Sequence, residues 1–214
     1  MATKQTAKII TLMSFERGQS KTTLALHLAS RLQNSKVYDY DESNGNRSAS
    51  KIVSRGLQAG SPLPFEVATG LDGIGNDINA FKYLIIDTEG GLSKDKATAL
   101  ADGASDLIIV PTRLDMVSIE GCLDVMDSDF VKLSNAPVYA LFTGVSDVDK
   151  LAAIQDEFAR HHRKTFNAFL PFNETLAELG KRGMTADHAQ TDSGLLAIRQ
   201  AFDVIASEVI SYVA

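Results

Sequence analysis

The sequence predicts an α/β fold: a single domain built on a twisted, mostly parallel sheet flanked by helices. Three observations carry this. Short apolar runs alternate with helical patterns along the whole chain, and strand–helix alternation means βα units in a parallel sheet. Several of the apolar runs, such as "YLII" and "LIIV", lack polar alternation, as strands buried on both faces do. Polar clusters close three of these runs, and parallel sheets bind ligands outside the carboxyl ends of their strands.

The elements follow in order. A strand over 8–14 leads through "FERGQSK" into a helix over 22–33, on which Leu24, Leu28 and Leu32 form one apolar stripe. A strand over 36–40 carries Asp39 near its end, with Asp41 just beyond, and a helix over 47–57 follows. "GLQAGSPLP" and "ATGLDGIGN" read as loops, rich in Gly and Pro, on either side of a short strand at 65–68. A strand over 83–87 ends on Asp87. Then come a helix over 95–103, a strand over 107–111 and a helix over 118–133. A strand over 138–143, a helix over 148–162, a strand over 166–170, a helix over 174–181 and a terminal helix over 193–213 complete the chain.

With 214 residues, 44% hydrophobic and 22% charged, the chain suits one globular domain over 1–214 with a full core. A net charge of −6 excludes coating of DNA by bulk charge and leaves only a local patch for nucleic acid. The single cysteine, Cys122, excludes an internal disulfide and fits a reducing compartment. "MATKQTAK" at the N-terminus has no apolar signal segment. No apolar run approaches the roughly 18 residues of a membrane span, so a cytoplasmic location is expected.

The stretch "IITLMSFERGQSKTTLALHLASRL" carries the chemistry. A strand, a tight loop and a helix N-terminus together make an anion site, because backbone N–H groups converge there and the helix dipole favours negative charge. In such a loop Lys21 reaches the β- and γ-phosphates and the Thr22 hydroxyl holds Mg²⁺. Thr23 bonds a phosphate oxygen or caps the helix. The pattern GxxxxGK[ST] is not met, since Phe15 and Ser20 stand at its glycine positions. Ser20 and Thr22 equally suit the cap of an ordinary amphipathic helix. The strand-end carboxylates weigh toward the nucleotide. Asp87 at the end of "KYLIIDTEGG" can hold Mg²⁺ through water opposite Thr22, and "VYDYDESNGN" ends a second strand with Asp39 and Asp41.

In their order and spacing these motifs resemble the ParA/MinD group of deviant Walker A P-loop ATPases (SIMIBI-like), and within it the short ParA-type plasmid partition proteins that lack a separate N-terminal DNA-binding domain. The StbB-like stability proteins of conjugative plasmids are a close variant. "ERGQSKTT" is similar to the family's KGGxGK[ST]T, "DYDESNGN" to DxDPQGN, and "FKYLIIDTEGG" to DYVLIDTPPG. "ASDLIIVPTRLDMVSIEG" and "FLPFNETLAELGKRGMT" match two later family stretches. The resemblance implies Mg·ATP at the loop, held by Arg17, Gly18, Gln19, Ser20, Lys21, Thr22 and Thr23. It implies Thr22 and Asp87 as Mg²⁺ residues, Asp41 orienting the attacking water, Asp39 in support, and Thr143 and Pro171 near the base. It also implies an ATP-dependent homodimer, non-specific DNA binding at the nucleoid, and a small site-specific DNA-binding adaptor as partner. No membrane binding is expected, because the terminal helix sets Arg199 against Asp203 and Glu208 instead of showing a basic face. The basic runs "RHHRK" (Arg160, Arg163, Lys164) and "GKRG" (Lys181, Arg182) are the DNA-binding residues to test.

The family's signature lysine falls at Glu16. A carboxylate about 4 Å from a phosphate charge costs on the order of 4 kcal/mol at an effective dielectric near 20, roughly a thousandfold in affinity or rate. Glu16 therefore turns away, pairs with Arg17, or prevents the nucleotide sandwich, and Arg17 is a candidate substitute cation. Ser20 costs about 1–2 kcal/mol if its position requires a positive φ. Slow hydrolysis is expected. The alternative is a non-catalytic adaptor on a decayed P-loop fold, binding DNA or a protein partner in plasmid stability or conjugative transfer.

Overall fold

A computed structural model of the protein describes residues 6–41, 47–102, 104–188 and 193–214. Seven strands form one sheet in the order β3-β2-β4-β1-β5-β6-β7, and every pairing is parallel. They are β1 (Lys8–Leu12), β2 (Ser35–Tyr40), β3 (Glu66–Thr69), β4 (Tyr83–Thr88), β5 (Leu107–Thr112), β6 (Val138–Val145) and β7 (Leu170–Pro171). The helices are α1 (Lys21–Arg31), α2 (Ser48–Gln58), α3 (Ile74–Asp77), α4 (Lys94–Ala101), α5 (Met116–Met126), α6 (Asp129–Leu133), α7 (Val148–Arg160), α8 (Glu174–Lys181) and α9 (Leu196–Val213).

Strands β4 and β5 are buried at every residue, which is why their runs show no polar alternation. Successive side chains on them serve two cores. Ile85 and Ile109 join Leu24, Leu28, Leu179 and Phe202 on the face covered by α1, α2, α8 and α9. Leu84, Ile86 and Ile108 join Leu100, Cys122, Phe130 and Phe158 on the face covered by α4, α5, α6 and α7. Helix α1 is held to α9 by His27, which stacks on Phe202 at 4.2 Å. Burial pushes the imidazole pKa down to about 4. It is therefore neutral, with Nδ1 donating to the Thr23 carbonyl at 2.8 Å and Nε2 accepting from the Ala186 N–H at 2.9 Å.

Three expectations are corrected. The helix expected over 118–133 is two helices, and it starts earlier. Asp115 caps α5 by accepting from the Ser118 N–H, while Ser128 breaks the chain with extended backbone (ψ 149°) and donates its hydroxyl to the Val125 carbonyl. The strand expected over 166–170 shrinks to Leu170–Pro171 plus a single bridge from Thr165 to Ala140, and the register of β6 against β7 shifts at Gly144, where φ is +64°. The stretch "ATGLDGIGN", expected as a loop, overlaps the end of β3 and most of the short helix α3. Gly103, at the expected end of the helix over 95–103, lies outside the described residues, as do 42–46 of the stretch "DESNGN".

Candidate functional site

The register of the sheet brings the carboxylates to the loop. Leu12, the last residue of β1, lies beside Asp87 on β4, and Asp87 lies beside Asp39 on β2. The chain then leaves β1 into the 13–20 loop directly above this pair. Ser14 is buried and folds the first turn. Its hydroxyl donates to the Glu16 carbonyl at 3.1 Å and accepts from the Glu16 N–H at 3.0 Å. Two left-handed residues bend the rest, Gly18 at φ +73° and Ser20 at φ +65°. The condition set for Ser20 is thus met, and its hydroxyl makes no capping hydrogen bond in return.

Lys21 begins α1 and is buried, with Nζ folded back over the loop to donate to the Glu16 carbonyl at 3.3 Å. Burial lowers its pKa, against the attraction of Asp87 and Asp41. Asp87 is fully buried, and burial raises its pKa to about 7. The Thr22 hydroxyl and Lys21 hold that rise in check, while Asp39 and Asp41 add to it. Even so, neither Asp87 oxygen has a partner at hydrogen-bonding geometry. Asp39 is spent differently: it accepts the Asp41 N–H at 3.4 Å and the Ser50 N–H at 2.8 Å. It thereby fixes both the backbone of Asp41 and the start of α2.

The loop and the start of α1 line one cleft of about 210 Å³, which the buried Asp39 and Asp87 do not themselves border. Arg17, Gly18, Gln19, Ser20, Lys21, Thr22, Thr23 and Asp41 all border it, joined by Ser48, Thr88 and Gly90. The cleft is smaller than the 300–1,000 Å³ of a site that encloses a whole ligand, which suits a phosphate chain with the rest of a nucleotide at the rim. The orphaned Asp87 oxygens beside a threonine hydroxyl fit a hard divalent cation. Among the described residues no cluster of three or more His, Cys, Asp or Glu makes a metal site by itself. A Mg²⁺ here would fill its shell with phosphate and water, as that ion commonly does.

Glu16 and Arg17 part company. A Cβ placed on Gly121 of α5 would lie 2.6 Å from Glu16 Cγ, so the glutamate packs on that helix. A Cβ placed on Gly90 would lie 2.6 Å from Arg17 Cγ and 3.0 Å from its Cα, so the arginine runs along the cleft wall. Gln19 reaches α5 too, with Nε2 donating to Ser118 Oγ at 3.0 Å. Thr143 and Pro171 do not border this cleft. Thr143 is buried on β6, its hydroxyl donating to the Thr112 carbonyl, and Pro171 borders a separate apolar depression beside α9. Sequence reasoning missed Ser48, Thr88 and Gly90, although the last two stand inside the stretch that revealed Asp87.

The two basic runs are not one surface. Helix α7, which ends at Arg160, packs on one face of the sheet through Phe158, and α8 packs on the other through Leu179. Arg160 pairs with Glu157 at 2.7 Å, and Arg163 makes a two-point contact with Asp127 at 3.1 and 2.7 Å. Lys164 lies over the Tyr139 ring, and Lys181 pairs with Glu178 at 2.5 Å. No helix among the described residues is long and apolar enough to cross a membrane.

No family model and no curated protein matches the sequence. Solved structures do resemble it. The MinD cell division protein of Aquifex aeolicus aligns with TM-score 0.72 at 14% identity, covering 96% of this chain and 98% of that one. A plasmid partition protein of Borrelia burgdorferi bound to AMPPNP aligns with TM-score 0.69 at 15% identity, over 96% and 99%. The structure of pNOB8 ParA bound to nonspecific DNA aligns with TM-score 0.60 at 12% identity, over 97% and 98%. The chain has the ParA/MinD-type P-loop NTPase fold, with its all-parallel sheet and flanking helices.

Proposed function

We propose that the protein is a ParA-like nucleotide-binding protein that acts in segregating or positioning plasmid or other DNA. It binds Mg·ATP at the 13–20 loop, pairs with a second copy in the nucleotide-bound state, contacts DNA without sequence preference, and meets a small site-specific DNA-binding adaptor. The observation that carries this reading is a charge pair beside the loop: a buried lysine that borders the cleft and donates to the loop, and a fully buried aspartate that acts on it electrostatically, lies by Thr22, and has neither oxygen partnered at hydrogen-bonding geometry.

The residues divide the work. Loop N–H groups and the start of α1 receive phosphate oxygens. Lys21 leaves the Glu16 carbonyl for the β- and γ-phosphates. Thr22 and Asp87 would hold Mg²⁺, which would neutralise phosphate charge when bound. Asp41, fixed by Asp39, orients the attacking water. Arg17 supplies a cation at the cleft wall from within the subunit, and Glu16, packed on Gly121, leaves the phosphates alone. With a glutamate where the resembling family has its signature lysine, turnover is slow. The likeness to the AMPPNP-bound and DNA-bound structures supports the ligands.

Calorimetry with ATP and ADP, with and without Mg²⁺, tests the reading. Binding in the micromolar range that Lys21→Ala abolishes is expected. Absence of binding at millimolar nucleotide would favour the second reading, a non-catalytic adaptor on the same fold. Glu16 and the strained Ser20 speak for that one.

A further inference from the structure

Helix α2 carries a pattern that adjacent-charge runs do not reveal. Arg47, Lys51 and Arg55 recur every four residues, and all three are exposed. Residues 47 to 65 contain no acidic side chain, within a chain of net charge −6. The i, i+4, i+8 spacing places the three cations along one side of the helix over about 12 Å. The opposite side is used up by the fold: Ala49 is in the core, and Ile52 and Val53 pack against it.

Helix α8 extends this stripe. A Cβ on Gly183 would lie 2.1 Å from the Gly56 nitrogen and 2.6 Å from the Arg55 carbonyl carbon, so the two backbones touch at that point. Arg182, exposed and one residue before Gly183, therefore leaves the chain close to the backbone of Arg55. Lys181 stands at the edge, covered by Glu178. Along the denser run at 160–164, Glu157 pairs with Arg160 and His161, and Asp127 with Arg163.

We propose that the stripe Arg47–Lys51–Arg55, continued by Arg182, is the surface that meets the phosphate backbone of duplex DNA. This rests on the DNA-binding part of the reading above and names its surface. Charge complementarity argues for it: duplex DNA presents one negative charge per about 1.7 Å of axis, so 12 Å of stripe faces about seven. An anionic bilayer fits less well. A helix that lies in a membrane surface needs an apolar face to insert, and that of α2 is turned into the protein.

The test is fluorescence anisotropy of a labelled random-sequence duplex, titrated with full-length protein with and without Mg·ATP at several salt concentrations. The variant is Lys51→Glu/Arg55→Glu/Arg182→Glu, and the control is Arg160→Glu/Lys164→Glu. Arg47 is left intact because Ser48 beside it borders the nucleotide cleft. Each lost phosphate contact removes about 0.9 from the slope of log K against log salt. Three contacts lower it by nearly 3, with affinity down on the order of 100-fold at 0.1 M salt. The control keeps the wild-type slope, and both variants keep wild-type thermal midpoints and ATP affinity. Should the triple variant misfold, Lys51→Gln/Arg55→Gln replaces it, with a slope change near 2.

Three results would overturn the proposal: an equal or greater loss in the control, an unchanged slope in the triple variant, or stripe-dependent binding to phosphatidylserine vesicles without binding to DNA. Wild-type protein that binds ATP but no DNA sinks this surface and spares the nucleotide reading. Protein that binds DNA through the stripe but no ATP does the reverse.

Discussion

Ser20→Gly isolates the strain in the loop. Ser20 sits at φ +65°, ψ +18° at the mouth of α1, and its hydroxyl makes no cap hydrogen bond. A non-glycine residue in this region costs about 1–2 kcal/mol. Glycine removes that cost but loses about 0.5–1 kcal/mol through its freer unfolded chain. The net expectation is a gain of about 0.5–1 kcal/mol, since no cap hydrogen bond is forfeited. For a protein of this size 1 kcal/mol moves the thermal midpoint by about 2–4 °C. Thermal unfolding followed by circular dichroism should therefore show a rise of roughly 1–4 °C for nucleotide-free Ser20→Gly. Ser20→Val, β-branched at a positive φ, should fall by at least as much. Calorimetry on Ser20→Gly should retain ATP binding, because the backbone N–H that would meet phosphate is unchanged. A Ser20→Gly midpoint several degrees below wild type would refute the reasoning. It would mean that the hydroxyl holds something worth more than the strain.

Four further substitutions probe the same architecture. Asp87→Asn tests the buried carboxylate. The folded-state pKa of Asp87, about 7, exceeds the roughly 3.9 of the unfolded chain, so the penalty is full above pH 7 and fades as pH falls toward 4. Nucleotide-free wild type should gain on the order of 3 kcal/mol from this group between pH 8 and pH 5, read from urea midpoints; equal pH dependence in Asp87→Asn would dismiss the idea. Gly90→Ala puts a methyl group 2.6 Å from Arg17 Cγ, and should weaken ATP binding about tenfold, or about 1.4 kcal/mol. Arg17→Ala should do the same, and the double variant should be no worse than either; additive losses would separate Gly90 from Arg17. Gly183→Ala meets the α2 backbone at 2.1 Å with φ at +74°. It should cost about 3 kcal/mol from strain and overpacking, lowering the midpoint by about 6–12 °C. A shift under 2 °C would show that α2 and α8 part easily there.

The sheet was legible because its central strands are buried on both faces, and continuous apolar runs such as those of β4 and β5 have few other readings. The carboxylates were legible because each sits at or just past a strand end, where topology makes position predictable. Local sequence does not encode which way a loop side chain points. The divergence of Glu16 and Arg17 goes with the turn that Ser14 folds at Glu16 and with distant glycines that leave room for each side chain. The break at Ser128 was hidden because a lone serine also suits a helix, and only the tertiary path makes it a stop. The stripe on α2 was overlooked because three cations four residues apart make no run, although they make one face of a helix.

The placement of Glu16 also decides how its charge should be counted. At 4 Å from phosphate the carboxylate costs on the order of 4 kcal/mol, but at about 8 Å the same pair is worth about 2 kcal/mol before salt screens it further. Packing on Gly121 moves the glutamate toward α5, and that helix accepts it only because position 121 lacks a Cβ. The same loop aims Arg17 along the cleft over Gly90, a second position without a Cβ. Two glycines on separate elements thus sort two adjacent opposite charges, one away from the phosphate cleft and one into it. A loop that had merely decayed would have no reason to keep its acid and its base on different walls. The arrangement fits a cleft whose cation comes from its own subunit, so that phosphate binding and pairing with a second copy become separable events.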